Sequence, residues 1–516
     1  MCGIAGYFNL NGEPISISTL RRMGDAIKHR GPDGEGFWTN SFIGFSHRRL
    51  AIIDLSPLGH QPMQTDDGNF VITYNGEVYN FQNLRIELES MGYKFYSKTD
   101  TEVLLKAYQA WGKDCIYKFN GMFAFAIWDN RENELFIARD RYGIKPLYYY
   151  YKNGIFIFAS EIKAILKHPA VSVKVCREAL NEYFSFQNVF TDLTLFKDIK
   201  MLPAASMLSL KLGDLNSLKI KQYWDYNFKD NGDTDETEYI EELARLFEQA
   251  VNRQLISDVE IGSYLSGGMD SGSVTSIAAK NFRNLKTFTC GFDLSSASGL
   301  ELGFDERHKA EFLSNIYKTE HYEIVLKAGD MERVMSQLIW HLEDLRIGQS
   351  YPNFYVARLA SKFVKVILSG SGGDELFAGY PWRYYRAVVN DDKEHYIEKY
   401  YQYWQRLIPD SYKPRFYNEN IYPDIKNYPC KDVFRGVLES RMKNKIIPEE
   451  YVNHSLYFEA KTFLHGILVV EDKLSMAHNL ETRVPFLDND LVDFAMKVPV
   501  RHKLKNLSEV IRVNEN

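Results

Sequence analysis

The stretch EIGSYLSGGMDSGSVTSIAAK, residues 260–280, joins a short β-rich run to a glycine loop and then to a helix-forming segment. Glycines let a backbone approach an anion closely, and the N-terminus of a following helix offers unpaired N–H groups and the positive end of a dipole. Gly267 and Gly268 provide the close approach, Ser266 and Ser271 add hydroxyl donors, and Asp270 adds a carboxylate. No Gly-Lys-Ser/Thr follows, so this is not a Walker A loop. The plainer reading is a glycine-rich turn with Asp270 as a helix cap; the strand-loop-helix setting favours phosphate.

FVKVILSGSGGDELFAGY (363–380) has the same order of run, glycine loop and helix. That repetition predicts a parallel sheet flanked by helices, whose ligands bind at the carboxyl ends of the strands. Ser369, Gly370 and Ser371 lie in this second loop, with Asp374 and Glu375 just beyond. Acids on two such loops suit a nucleotide whose phosphates carry Mg²⁺, because hard cations take carboxylate and phosphate oxygens together. Asp270 and Asp374 are therefore the candidate Mg²⁺ ligands, with helix capping as the alternative for each. Lys473, in EDKLSMAHNLETRVPFLD (471–488), has the charge to neutralise a leaving pyrophosphate. Taken alone, Lys473 and Arg483 also read as ordinary structural charges.

The first two hundred residues have a different texture. FVITYNGEVYN (70–80), GMFAFAIWD (121–129), ELFIARD (134–140) and KPLYYYYKNGIFIFAS (145–160) are β-rich runs, the last folded about Lys152-Asn153-Gly154 as a hairpin. Helical stretches at 17–30 and 101–112 lie between them, which predicts a mixed domain with much antiparallel sheet. The texture changes again at TEYIEELARLFEQAVNRQLI (237–256), an amphipathic helix with Glu early and Arg late. The expected organisation is a first domain over 1–210, a linker region over 211–236 with FKDNGDTDE (228–236) at its centre, and a second domain over 237–516.

At 516 residues the chain is too long for one compact core. With 62 basic against 68 acidic residues the formal charge is −6, which gives no reason to expect nucleic acid or an anionic membrane as a partner. Five scattered cysteines make no disulfide framework, no apolar run reaches membrane-spanning length, and no basic leader precedes an apolar stretch. The expected setting is cytoplasmic and reducing, where a free thiol persists.

SGGMDS, SGSGGDELFAGY and DKLSMAHNLETRVPFLD, in that order, resemble the synthetase half of glutamine-dependent asparagine synthetases, which has the ATP-pyrophosphatase fold. MCGI at the start, RLAIID (49–54), NGEVYN (75–80), DTE (100–102), RGPDGEG (30–36) and RDRYGIKPLYY (139–149) resemble the same family's N-terminal-nucleophile glutaminase half. The resemblance implies two domains, an α+β glutaminase with stacked antiparallel sheets between helices, then an α/β ATP-pyrophosphatase domain. It implies that ATP and Mg²⁺ activate a carboxylate as an acyl-adenylate, that ammonia made from glutamine crosses an internal channel to displace AMP, and that the chain forms a homodimer. By the same likeness Leu265, Cys290, Ser369 and Gly370 contact adenosine, while Ser266 to Ser271 and Lys473 take the pyrophosphate.

The chemistry of the first half follows from that need for ammonia, which is mostly protonated at neutral pH and so is best generated locally. Loss of Met1 before so small a residue leaves Cys2 with a free α-amine, with a reference pKa near 8, beside its thiol as a local base. Asn75 and Gly76 suit an oxyanion hole, Arg49 a substrate carboxylate, and Glu77 and Asp100 a substrate ammonium. Each has a plainer rival: Asn75-Gly76 as a hairpin turn, Arg49 as a surface ion pair, Asp100 as a helix cap.

Two departures from the family stand out. Ser371 occupies a position where many relatives carry Asp or Glu tied to the aspartyl-adenylate, so it marks a possible intermediate-forming position and leaves the acceptor open. The chain given stops at RVNEN (512–516), where relatives continue through another helical stretch, so the usual C-terminal tail is expected to be lacking. The leading expectation is aspartate amidation. Its rivals are amidation of another carboxylate, such as a sugar acid or biosynthetic intermediate, and a non-catalytic nucleotide-binding protein.

Overall fold

The computed structural model describes residues 1–230, 235–296, 303, 305–346, 350–385, 392–442, 447–505 and 507. The middle of FKDNGDTDE and the terminal RVNEN therefore lie outside the described residues. The first half is two six-stranded antiparallel sheets packed face to face. One runs, edge to edge, Ile199–Met201, Tyr148–Lys152, Ile155–Ala159, Gly3–Asn9, Ile43–Arg49 and Gly34–Asn40. The other runs Lys219–Gln222, Ser206–Lys211, Glu134–Arg139, Gly121–Asp129, Phe70–Val78 and Met63–Gln64. Within 211–236, read from the sequence as connecting chain, Lys219–Gln222 is thus an edge strand paired to Ser206–Lys211.

Alternation along these strands explains the layering, because successive side chains point to opposite faces. Ile4, Phe8, Phe45, Val71, Trp128, Ile137 and Phe158 fill the space between the sheets. The outer face of the first sheet buries Ala5, Tyr7 and Ile157 against helix Ile17–Ala26, and that of the second buries Ile72, Tyr74 and Phe125 against helices Phe81–Ser90 and Asp100–Trp111. The hairpin at Asn153-Gly154 has both residues at positive φ, +52° and +73°, as a two-residue turn that follows the strand twist requires.

The second half is a five-stranded parallel sheet in the order Glu320–Leu326, Lys286–Phe292, Ile261–Tyr264, Val366–Leu368, Glu481–Arg483. Helices cover both faces, with Leu246, Ala250, Val274 and Ala278 packed on one side and Phe288, Phe354, Tyr355 and Ala360 on the other. Among the described residues no helix is long and apolar enough to cross a membrane.

The two halves share a buried seam. Met1, Leu50, Tyr79 and Met122 pack in one apolar cluster with Leu464, Leu468, Val484 and Leu487. Arg30, wholly buried, crosses it: Nε donates to the Cys2 carbonyl at 3.1 Å, Nη1 to Glu161 at 3.0 Å and Nη2 to Asp472 at 2.8 Å. Lys145 approaches the other Asp472 oxygen at 3.5 Å, and Asn120 donates to Asp488 across the same seam at 3.0 Å. Removing one partner of a buried pair leaves the others charged in a low dielectric. Arg30→Ala is accordingly expected to cost about 3–5 kcal/mol of stability, read as a lower urea midpoint, whereas a loss under about 0.5 kcal/mol, usual for surface changes, would show that the pairing is not needed.

Candidate active sites

The central strand Phe70–Val78 builds the first site. Asn75 and Gly76 are not a hairpin turn; they pair within that strand with Ala124 and Phe123. A Cβ at Gly76 would collide with the Met122 carbonyl, so the close pairing there demands glycine. Asn75 Oδ1 accepts from the Cys2 backbone N–H at 3.0 Å, and its buried Nδ2 has no hydrogen-bond partner. A buried amide donor held next to a thiol and left unpaired is what an oxyanion site requires.

Arg49 is not a surface ion pair either. Its guanidinium donates to the carbonyls of Asp54 and Ser56, which fix it over a narrow cleft that Cys2, Gly76, Glu77 and Asp100 also line. The cap of helix Asp100–Trp111 is Thr99, whose hydroxyl accepts from Glu102 N–H, so Asp100 does not serve as the cap. Asp100 instead accepts from the Tyr74 hydroxyl at 2.7 Å and the Val78 N–H at 3.0 Å, and burial pushes its carboxyl up to about 6. Burial, with Asp100 and Glu481 nearby, drives Glu77 well above the usual carboxylate range. Two buried carboxyls of raised pKa, with Arg483 3.9 Å from Glu77, suit a ligand that brings its own positive charge.

Burial also pushes the Cys2 thiol up, against the N-terminal amine, the Leu50 carbonyl contact and Arg49, which lower it. Met1 is present, its amine 3.1 Å from Glu481 in the second half.

The second site lies where Ile261–Tyr264 and Val366–Leu368 end side by side, Ser263 opposite Leu368. Ser266 N–H donates to Ser271 Oγ at 3.1 Å, the two hydroxyls lie 3.0 Å apart, and Gly268 N–H donates to Ser266 Oγ at 3.3 Å. Gly267 takes the left-handed conformation with φ +79°. Helix Met269–Asn281 starts from Gly268 with no side-chain cap, so Asp270 does not cap it. The Asp270 carboxylate faces the other loop, where a Cβ at Gly373 would meet it, and burial with the Asp374 charge pushes it up to about 6. A Cβ at Gly370 would lie 2.7 Å from Ser271 N, so glycine is what allows the loops to touch.

Between these loops and strand Lys286–Phe292 opens a cleft of about 740 Å³, lined by Leu265, Ser266, Asp270, Ser271, Cys290, Ser369, Gly370, Ser371 and Asp374. Leu265 offers it little backbone polarity, since its N–H donates to Phe288 at 3.0 Å and its carbonyl accepts from Thr289. Cys290 is an apolar wall whose thiol burial pushes up to about 12. A separate cavity of about 900 Å³ beside Val173, Val175, Ile339 and Trp340 is apolar and holds none of the predicted site residues.

Lys473 does not line the cleft beside the glycine loops. Its Nζ donates to the Leu342 carbonyl at 2.7 Å and Glu343 at 2.8 Å over the Tyr148 ring, and it lines a different, narrow cavity with Asn188 and Arg346. Helix phase is the reason. Along helix His465–Met476 the positions one turn apart, Ile467, Glu471, Leu474 and Ser475, line the nucleotide cleft, while Lys473 lies off that stripe. Glu471 was missed, although it stands two residues before Lys473 in the quoted motif; Glu343, Glu481 and Arg30 were missed as site supports because each acts across the seam, where sequence spacing carries no signal.

Two family descriptions match the chain: a glutamine amidotransferase domain over residues 1–224 and asparagine synthase over 242–510. Two Bacillus subtilis (strain 168) proteins are similar along nearly the whole chain. Asparagine synthetase [glutamine-hydrolyzing] 1 is 33% identical over 98% of this chain and 82% of its own length, and asparagine synthetase [glutamine-hydrolyzing] 3 is 33% identical over 99% and 83%. With both halves matched in order and each carrying a cleft of the expected residue types, the chain belongs to the glutamine-hydrolysing asparagine synthetase family.

Proposed function

We propose that this protein amidates a carboxylate, L-aspartate to L-asparagine, using ATP and ammonia drawn from glutamine at Cys2. The observation that carries this reading is the Cys2 nitrogen held on Asn75 Oδ1 with Asn75 Nδ2 left unpaired, while Cys2 itself lines one cleft with Arg49, Gly76, Glu77 and Asp100. With Met1 removed, the Cys2 amine takes the thiol proton. The sulfur then attacks the glutamine amide carbon while Asn75 Nδ2 and the Gly76 N–H receive the oxyanion. Collapse to a thioester expels ammonia, and water releases glutamate. Arg49 holds the substrate carboxylate and the Glu77–Asp100 pair its ammonium.

In the second site Leu265, Cys290, Ser369 and Gly370 flank the adenosine, and the Ser266–Ser271 loop takes the phosphates. Asp270 and Asp374 fit Mg²⁺ as adjacent carboxylates on the two loops, for an ion that completes its shell with phosphate and water. Bound Mg²⁺ would supply neutralisation of phosphate charge. The acceptor carboxylate attacks the α-phosphorus and expels pyrophosphate to give acyl-AMP, and ammonia then displaces AMP to give the amide. A second reading, in which another carboxylate is the acceptor, rests on Ser371, which places no charge of its own in the cleft.

With amide-labelled glutamine, aspartate, ATP and Mg²⁺, mass spectrometry should find labelled asparagine, AMP and pyrophosphate in equal amounts; glutamate without labelled asparagine would overturn aspartate as acceptor. Cys2→Ala should abolish glutamine use while leaving synthesis from added ammonium, and loss of both would remove the two-site scheme.

A carboxyl raised to about 6 carries its charge only above that pH. Glutamine kcat/KM should therefore fall as pH drops through about 6, by up to tenfold per unit for one proton, although the inflection belongs to the coupled pair. Asp100→Asn should raise glutamine KM about 10- to 100-fold and flatten that profile; an unchanged profile would remove Asp100 from ammonium binding. Asp270→Asn should lower pyrophosphate release at least about 100-fold, as loss of a transition-state charge contact does, with glutamine hydrolysis still measurable.

A further inference from the structure

Of the acids in that cleft, Asp270 and Asp374 face each other across the loops, Glu306 has the Lys309 charge nearby, and Glu375 accepts from the Tyr380 hydroxyl at 2.9 Å. Glu471 is different. It projects from helix His465–Met476, one turn from Leu474 and Ser475, and lines the cleft beside the second loop. Its hydrogen-bond partner is a hydroxyl: Ser371 Oγ donates to Oε2 at 2.8 Å, and the Ser369 hydroxyl lies 3.1 Å from that of Ser371. Lys145 is the cation that bears on it, but the Lys145 ammonium lies 3.5 Å from Asp472. Burial raises the Glu471 carboxyl against those hydroxyls. A carboxylate taken largely out of water, hydrogen-bonded by a neutral donor and open on one side to a substrate cleft, calls for a compact cation from the ligand.

We propose that Glu471, set by the Ser371 hydroxyl, receives the α-ammonium of the acceptor, so that the acceptor is an amino acid rather than a plain di-acid or sugar acid. This rests on the amidation reading above and narrows it. Ser371 places no charge of its own at the loop; its hydroxyl instead orients a carboxylate delivered from the helix behind it. An ammonium offers three donors to Glu471 and the adjacent serine oxygens. An acceptor lacking the amine would set its own negative charge against an unpaired Glu471, which rejects it by repulsion as well as by a missing contact. Gln at 471 keeps the shape and the hydroxyl partner and removes the charge.

The experiment is pyrophosphate release with ATP and Mg²⁺, comparing aspartate with succinate, the same di-acid without the amine, and with a panel of other carboxylates. The wild-type protein should turn over aspartate and reject succinate. Glu471→Gln should raise aspartate KM about 10- to 100-fold, the loss of one hydrogen bond to a charged group, move ATP KM less than about twofold, and narrow the preference for aspartate over succinate by a similar factor. Glu471→Asp should recover part of the loss. An unchanged aspartate-to-succinate preference in Glu471→Gln, or ATP KM rising in step with aspartate KM, would overturn the assignment, the latter because it marks a structural role. Turnover by the wild type of carboxylates without an amine, and not of amino acids, would overturn this assignment alone. No pyrophosphate with any carboxylate would overturn the amidation reading itself and this assignment with it.

Discussion

Arg30 is the point on which the arrangement turns. One wholly buried guanidinium holds the carbonyl of Cys2, the carboxylate of Glu161 and the carboxylate of Asp472. The first is the backbone of the proposed nucleophile, and the third belongs to the helix that walls the nucleotide cleft. Such a cluster adds little net stability, because desolvating its charges costs about what their attraction returns. Its geometry is nonetheless exacting: a planar fork with fixed donor directions admits one relative placement of its partners. A shift of helix His465–Met476 against the first half would strand a buried charge, so the two sites are held in register by the cost of misplacement.

The same helix explains why neighbouring residues in one motif part company. Glu471 lines the cleft at the glycine loops, Asp472 faces Arg30, and Lys473 reaches Glu343. Each step along an α-helix turns about 100°, so from Glu471 to Lys473 the direction swings through about 200°, and a motif read as a unit is distributed over a cleft and an interface. A π turn over Ala460–Leu464 directly precedes this helix. An extra residue in the turn resets the phase of everything after it, and phase is what puts Glu471 rather than Lys473 in the cleft.

Much of the site was legible because its residues sit on elements whose local chemistry is strong. The glycine loops after two β-rich runs predicted adjacent parallel strand ends, and Ser263 does lie opposite Leu368. The hairpin at Asn153-Gly154 was readable from the positive-φ preference of that pair. Asn75-Gly76 carried the same turn signal and misled locally, because nine residues of strand on the second sheet overrode it. Asp100 followed a cap-like pattern, yet Thr99 took the cap and freed the carboxylate for Tyr74 and Val78.

The sequence by itself determined a first half rich in antiparallel sheet, a second half with a parallel sheet, and the glycine loops of the second cleft, since strand periodicity, glycine loops and helix starts are set by interactions a few residues long; the family resemblance, not periodicity, supplied the other expected cleft residues. Only the tertiary structure decided which polar atoms are already spent and which are left over: Asn75 Nδ2 unpaired beside Cys2, Leu265 with its N–H committed, Lys473 neutralised by Glu343, and Glu471 with a hydroxyl for partner. The reason is that satisfying a buried group is a property of everything packed around it. Glu343 lies 130 residues from Lys473 and Ser371 lies 100 from Glu471, and no local pattern reports a partner at that distance.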